Sequence, residues 1–269
     1  MITKNTLFSL LFLVVSYISI GQVYLGYSLD MNDEFKLQQD VLQTITQDIQ
    51  GNMQEIENKL RGSLYFVVKE KTKENITLDV GFKSFYMKTT SPQLGGVLME
   101  VDTQAEEQTP ESKMFMGLID SSIGIVINYS GKIIEVKNGD AFINNMLSGM
   151  GIEDPTLLEQ TKKQLEKDWS GESLGRSFEQ VLFNYPNAKV NQGDTWNNEF
   201  VSKTGLNATN TWTLVTIDAD SYQISGTADV YMKTSNAQIT MDLSGTQQTN
   251  LIADSKNKFP RKMTVTSTV

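Results

Sequence analysis

The sequence predicts an α+β fold in which a long, strongly twisted antiparallel β-sheet, half-barrel-like in shape, carries a central helical segment on its concave face. Three observations favour this fold. Apolar and polar residues alternate near both ends of the chain, helical spacing is confined to the middle, and the alternating segments exceed the usual strand length of about five or six residues. Because long strands with one apolar face twist strongly, we expect the sheet to curl around the helices.

The first 21 residues have the features of a secretory signal peptide. Lys4 precedes an apolar run from Leu7 to Ile20, and Gly21 offers a small residue for cleavage before Gln22. The alternative is a membrane anchor, but the run is shorter than the roughly 20 residues that a spanning helix needs. We therefore expect residues 1–21 to be removed, which leaves residues 22–269 as a single α+β domain without a transmembrane helix.

Histidine and cysteine are both absent from the chain, which excludes several kinds of catalytic and metal site. Nucleophilic triads that contain His are excluded, as are zinc sites built on His or Cys. An exported chain without disulfides is typical of the bacterial envelope, either the periplasm or the outer membrane and cell surface. A net charge of −9 argues against nucleic-acid binding. We expect no enzyme, cofactor or metal; a hydrolase that uses carboxylates alone is the remaining catalytic alternative.

Residues 22–102 are predicted to form strands, of which the first two make a long hairpin. Five of the eight odd positions from 35 to 49 are apolar, against one of the eight even positions from 36 to 50. The alternation resumes after Gly51, which indicates a turn there. The alternative, one helix over residues 41–60, relies on a four-residue spacing that also satisfies a period of two.

The hairpin prediction assigns side chains to faces. The side chains expected on the concave apolar face are Phe35, Val41, Ile45, Ile49, Ile56, Leu60, Leu64 and Phe66. Those expected to face water are Asp40, Asp48, Glu55, Glu57 and Lys59. On this view Ile45→Asp would bury an unpaired charge and cost several kcal/mol. Gln39, Gln43 and Gln47 share the apolar face, which indicates either a wet cavity or strand ends that project beyond the core.

Helix signals occupy the middle of the chain. Asp154 is suited to cap a helix whose first residue is Pro155, and Tyr185-Pro186 ends the last helical segment. The predicted boundaries are a strand region at 22–102, a polar loop at 103–112, a mainly helical segment at 113–186 with a hairpin at 123–136, and strands over 190–269.

Apolar side chains between the helices and the concave face are candidates for a ligand-binding lining. Methionine in the helices suits adaptable apolar surfaces, although the same side chains would serve as ordinary core. The candidate residues are Phe66, Val68, Leu78, Val80, Phe82, Met114, Phe115, Phe142 and Met146.

Several local motifs resemble a secreted family of Gram-negative bacteria that is catalogued only as a domain of unknown function. The motifs are the signal ending in Gly21-Gln22, the hairpin around Gly51, the turn from Asn128 to Ile133 that runs into Glu135-Val136, and Val190-x-x-Gly193-Asp194-x-Trp196. The resemblance implies fold and location and carries no chemistry. The layout is also similar, more distantly, to periplasmic lipoprotein carriers, half-barrels that hold acyl chains; no ligand motif of theirs maps onto this chain, so the likeness is an analogy.

Two functions are consistent with these features. The first is a non-catalytic exported envelope protein that binds a lipid or another apolar small molecule in the concave face of the sheet. The second is a structural or protein-interaction protein of the periplasm or cell surface without a small-molecule ligand. A filled interior favours the second function, whereas a continuous cavity of several hundred cubic ångströms favours the first.

Overall fold

The computed structural model describes residues 21–49, 52–119, 121–201, 206–235 and 240–268. In this part of the chain, antiparallel strands dominate and four helices lie between them, which confirms the predicted α+β class. The strands are β1 (Val23–Leu25), β2 (Glu34–Ile49), β3 (Asn52–Lys71), β4 (Asn75–Ser91), β5 (Gly96–Asp102), β6 (Ser122–Asn128), β7 (Ile133–Lys137), β8 (Ala188–Val190), β9 (Thr195–Val201), β10 (Leu206–Ile217), β11 (Ser221–Ser235), β12 (Thr240–Asp254) and β13 (Pro260–Thr268). The helices are α1 (Pro110–Phe115), α2 (Ala141–Met150), α3 (Pro155–Trp169) and α4 (Gly171–Leu182).

The strands are divided between two large sheets and one small one. The six-stranded sheet has the order β2-β3-β4-β6-β7, with β5 paired to the far half of β4. The five-stranded sheet has the order β13-β12-β11-β10-β9, and β1 pairs with β8. Each large sheet is built from consecutive strands, because neighbours in sequence pair most readily. The helical segment separates the two sets of strands along the chain.

The predicted hairpin is confirmed as β2 and β3. The register runs without a break from Glu34 opposite Val67 to Ile49 opposite Asn52, so residues 41–49 and 52–60 are strands and not one helix. Gly51, the predicted turn residue, lies outside the described residues.

The predicted burial of this hairpin is correct only near its base. Leu64 and Phe66 are buried, whereas Val41 and Ile45 are 40% and 38% exposed, so the burial expected of these two residues is wrong. Both residues lie on the part of β2 that extends beyond the helices, so their side chains remain partly in water. Phe35, Ile56 and Leu60 are half-buried.

The predicted water-facing side of the hairpin is largely as expected. Asp40, Glu55 and Lys59 are exposed, and Glu57 is half-buried beside Lys59, with which it forms an ion pair of 3.0 Å. The side chains of Asp48 and Ile49 lie outside the described residues.

The helix signals are confirmed with one shift. The Asp154 carboxylate accepts hydrogen bonds from the backbone N–H groups of Thr156 and Leu157 at the start of α3. The first helix begins earlier than expected, at Pro110, because the Thr109 side chain caps it by accepting from the Ser112 N–H. It ends at Phe115, where a single 3₁₀ turn follows.

An aromatic cluster joins the six-stranded sheet to the helices. Phe85 on β4 stacks on Phe115 of α1, with ring centroids 5.0 Å apart, and its edge meets Trp169 at 5.7 Å. Phe82 meets Phe142 of α2 at 5.7 Å. Such pairs stabilise a core beyond the apolar area that they bury, and they fix the helices against the base of the sheet.

The loop between β12 and β13 of the five-stranded sheet packs against the six-stranded sheet. Phe259 in this loop stacks on Phe35 of β2 at 4.1 Å and meets Phe66 of β3 at 5.4 Å. The neighbouring carbonyl of Lys258 accepts a hydrogen bond from the buried Tyr185 hydroxyl. Both sheets therefore contribute to one hydrophobic cluster.

Asp254 holds this loop in shape. Its carboxylate accepts from the backbone N–H groups of Lys256 and Asn257, at 2.8 and 3.1 Å, and from the Arg261 guanidinium at 2.6 Å. Partial burial raises the pKa of Asp254, but these hydrogen bonds to the ionised form outweigh burial, and its net pKa lies below the usual value.

Gly131→Ala tests the tight turn between β6 and β7. Gly131 has φ +92°, and an added Cβ would lie 1.8 Å from the carbonyl oxygen of Leu182. We expect a loss of about 3 kcal/mol or more in the free energy of unfolding, since a positive φ costs about 1–2 kcal/mol and overpacking about 1–3. Urea denaturation measures this loss. The matched control is Gly95→Ala, with φ +97° and no atom within 4 Å, which should lose only about 1 kcal/mol. Equal losses for the two variants would contradict the steric argument.

Ile45→Asp tests the corrected burial of the hairpin. Because Ile45 is 38% exposed, we now expect a loss below about 1.5 kcal/mol, measured at low protein concentration. Leu64→Asp is the matched control on the same face of the same hairpin, where the side chain is 3% exposed. That variant should lose several kcal/mol or fail to fold. A large loss for Ile45→Asp would show that the end of the hairpin is covered.

Asp254→Asn should weaken the protein in a pH-dependent manner. A carboxyl whose pKa is lowered by folding contributes stability that is fully present above its unfolded pKa, about 3.9, and is lost as pH falls through the lower folded pKa. The difference in stability between the protein and the variant should therefore be constant from about pH 5 to 7 and shrink below about pH 4. Glu106→Gln in the exposed loop is the control and should show no such trend. A difference that persists undiminished in acid would refute the role of the ionised Asp254.

Candidate functional site

The structure brings the predicted lining residues together in the core. Phe66, Val68, Leu78, Val80, Phe82, Phe115, Phe142 and Met146 are all buried, and Met114 is half-buried against them. They come from β3, β4 and the first two helices, as the sequence predicted. Their side chains pack against one another and against Trp169, as the Phe82–Phe142 and Phe82–Trp169 contacts at 5.7 and 6.2 Å show. A ligand at these residues stays a prediction.

Beyond this core, the same face of the six-stranded sheet continues into solvent. We call this surface the distal face and define it by six apolar residues: Val41, Ile45, Ile56, Leu60, Met87 and Met99. Residues that are directly opposite across paired strands share a face. The register places Val41 opposite Leu60 and Leu60 opposite Met87, and it places Ile45 opposite Ile56. Leu60 and Met87 also touch the core, so the distal face is its direct continuation.

A row of polar side chains crosses the distal face between its apolar rows. The Asn58 amide donates to the Gln43 Oε1 at 3.0 Å, and the Thr89 hydroxyl donates to the Asn58 Oδ1 at 2.8 Å. These residues lie opposite one another on β2, β3 and β4. Of the two origins that inward glutamines suggested, the strand end beyond the core is the one that applies to Gln43. Asn58 and Thr89 were missed because their alignment with Gln43 depends on the strand register.

The opposite side of the same strands is mainly polar and charged, with Leu42 as an exposed apolar residue opposite Lys59. Lys88 and Glu100 lie opposite each other and form an ion pair at 2.9 Å, and the Tyr86 hydroxyl donates to Glu100 at 3.0 Å. The hydrogen bond from Lys88 holds the pKa of Glu100 below its usual range. The Arg61 guanidinium lies over the Tyr86 ring at 4.4 Å. The apolar character of the distal face is therefore restricted to one side of the sheet.

The distal face adjoins an open sheet edge. Among the described strands, β2 pairs only with β3, so its other edge is unpaired. Every residue from 38 to 46 is exposed. This stretch contains no proline, and Asp40 is its one charged residue. An unpaired edge presents backbone N–H and C=O groups that can form hydrogen bonds with a strand from another chain.

A second surface feature lies between β7 and the start of α4. It is an open cleft of about 530 Å³. Glu179 at its side accepts a hydrogen bond from the backbone N–H of Ile133 at 3.3 Å, and burial raises the pKa of this carboxyl. Arg176 and Glu172 form an ion pair in the same cleft. Because Glu179 joins the helix to the edge of β7, and Glu172 is ion-paired, both carboxylates have structural partners.

Clusters of metal ligands and membrane-spanning helices are both absent from the described part of the chain. In the ranges that the structure covers, no three carboxylates are grouped so that they could hold a metal ion. Within those same ranges, no helix combines the length and the apolar character needed to cross a membrane.

One family model matches this chain, and it covers residues 73–260. No curated protein and no solved structure matched. The matched region contains β4 to β12 and all four helices, and it begins just after the β2–β3 hairpin. The match therefore includes β4, the helices and the Phe259 loop, against which the hairpin packs, but not the two strands that carry most of the distal face. Since the match extends over well more than half of the chain, the protein belongs to DUF6263, a family of unknown function.

Proposed function

We propose that this protein is a non-catalytic, exported binding protein that holds another protein chain along the open edge of β2 and the adjoining distal face. The observation that carries the proposal is the exposure of the whole stretch from residue 38 to residue 46 on a strand with one unpaired edge. In strand addition, main-chain hydrogen bonds supply affinity, and side chains at alternate positions supply specificity. The apolar distal face is positioned to receive those alternate side chains.

The distal face supports the same interpretation. Val41 and Ile45 lie on the edge strand itself, and their side chains are 40% and 38% exposed on the distal face. An added strand that covered them would remove apolar area from water, at roughly 25 cal/mol per Å². The polar row at Gln43 offers hydrogen-bonding groups in the middle of this surface, which would select a partner with a polar side chain at the matching position.

The location proposed for this function is the envelope of a Gram-negative bacterium, in the periplasm or at the outer membrane or cell surface. The support is the signal-like segment at residues 1–21 and the absence of cysteine from the sequence. The non-catalytic assignment is supported by the absence of histidine and by the structural partners of Glu172 and Glu179, two of the four carboxylates that line the cleft at β7.

A second candidate function is the binding of a lipid or another amphipathic molecule. The observation that favours it is the combination of apolar rows with the hydrogen-bonded row of Gln43, Asn58 and Thr89 on one face. An acyl chain would lie on the apolar rows, and a polar head group would contact the amides. The dense aromatic packing among the predicted lining residues makes the distal face a better location for such a ligand than the core.

Photo-crosslinking separates the two functions. A benzophenone amino acid in place of Leu42, which is 64% exposed beside the open edge, should form protein adducts when cells that produce the protein are irradiated. The same probe in place of Thr227, which is exposed on a strand paired at both edges, should form far fewer. Ile45→Asp should abolish the Leu42 adducts, because it places a charge on the distal face. Mass spectrometry identifies the adducts.

The other outcomes decide against the first proposal. The same probe in place of Val41, which is 40% exposed on the distal face, tests the second candidate function, and lipid adducts there without protein adducts at Leu42 would support it. Equal labelling at Leu42 and Thr227, or none at either, would reject the β2 edge as a protein-binding surface, and an absence of lipid adducts at Val41 would reject the second function.

A further inference from the structure

We propose that a partner of the β2 edge is the β2 edge of a second copy of this chain, in an antiparallel pairing centred on Gln43. This inference rests on the proposed function and specifies its partner. The observation behind it is a pattern along the inner face of β2. Every second residue from Leu37 to Ile49 reads Leu, Gln, Val, Gln, Ile, Gln, Ile, and this order of apolar residues and amides is the same in both directions.

Antiparallel pairing converts this symmetry into complementarity. With Gln43 opposite Gln43 of the second copy, Val41 lies opposite Ile45 and Ile45 opposite Val41. Further out, register position 39 lies opposite 47, both glutamine, and position 37 lies opposite 49, both aliphatic. At all seven register positions, therefore, an apolar residue is opposite an apolar residue and a glutamine is opposite a glutamine. The interface is isologous, as expected for a twofold dimer.

The hydrogen bonds of Gln43 suit its place on the twofold axis. Its Oε1 accepts from the Asn58 amide at 3.0 Å, and a carbonyl oxygen has a second lone pair. The Gln43 Nε2 of each copy can donate to the Oε1 of the other. The polar row of Thr89, Asn58 and Gln43 would then continue across the axis into the same three residues of the second copy, with each amide hydrogen-bonded.

The outer face of β2 allows the same register without like charges in opposition. Leu42 lies opposite Thr44, and Asp40 lies opposite Thr46. Asp48 lies opposite Gln38. Like charges directly opposite would destabilise a strand pair, and this register has none. A one-residue shift of either strand would place the inner face of one copy on the same side as the outer face of the other, and a two-residue shift would place apolar residues opposite amides on the inner face. A shift of the centre by two residues, to Val41 or Ile45, keeps the match but over fewer positions.

Engineered cysteines test this register, because the chain contains no cysteine of its own. Opposite residues of an antiparallel pair have Cα atoms about 4.5–5.5 Å apart, within the span of a disulfide. Gln43→Cys should therefore form a disulfide-linked dimer on mild oxidation. Val41→Cys and Ile45→Cys should each link slowly when alone, since identical positions would be offset by four residues, about 14 Å at about 3.4 Å per residue. A mixture of these two variants should link rapidly.

Thr227→Cys is the control for random collision, because Thr227 is exposed on β11, a central strand of the other large sheet. If Gln43→Cys links no faster than this control, the pairing is wrong. Rapid linking of Val41→Cys or Ile45→Cys by itself would overturn the register centred on Gln43.

The mass of the unlinked protein provides a second readout. Light scattering during gel filtration of the full-length purified chain should show a dimer that dissociates on dilution, and Ile45→Asp should be a monomer with an unchanged circular dichroism spectrum. A monomer at all accessible concentrations would overturn the dimer. If photo-crosslinks at Leu42 then reached a different protein, the proposed function would stand without it; if they reached none, both would fall.

Discussion

The packing of Phe259 against Phe35 and Phe66 is the contact on which the rest of this structure depends. Phe259 lies in the loop between β12 and β13 of the five-stranded sheet, whereas the other two rings lie at the base of the β2–β3 hairpin. The contact merges the apolar faces of both sheets into one cluster. Asp254 stabilises the loop that presents Phe259 through hydrogen bonds to its backbone. Because the helices and this loop pack only near the base of the hairpin, its outer half, which is paired with β4, extends past the core and keeps an apolar face in water.

Packing inside the core and exposure outside it have opposite consequences for binding. Protein interiors are packed about as densely as organic crystals, so a ligand that entered the Phe82–Phe142 region would have to displace side chains. The distal face can be covered without such rearrangement. The projecting strands are therefore a more accessible surface for a partner than the concave interior.

A long open edge is a hazard for a protein that stays alone, since it invites pairing with other chains. Proteins usually block such edges with charges, proline or bulges. On β2, Asp40 and Asp48 flank a stretch, residues 41–47, that includes neither a charge nor a proline. The β2–β3 register also runs without a bulge. An edge that is long, regular and unprotected is consistent with a strand that is paired when the protein is at work.

The sequence by itself determined the local structure of this protein. Alternation with a period of two identified the β2–β3 hairpin, and Asp154 with Pro155 marked the start of α3. The absence of histidine and cysteine excluded nucleophilic triads that contain His and zinc sites built on either residue. These features are local because a strand or a helix cap depends on residues that are near one another in the chain.

Only the tertiary structure decided how far the core extends and where an exposed site remains. Periodicity reports which face a side chain occupies, but not how deep it lies, because depth depends on what packs across from it. Ile45 and Phe66 occupy the same face, yet Ile45 is 38% exposed, whereas Phe66 on β3 is buried against Phe259. The row of Gln43, Asn58 and Thr89 likewise required the register of three strands. Contacts between residues so distant in sequence leave no local pattern from which they can be read.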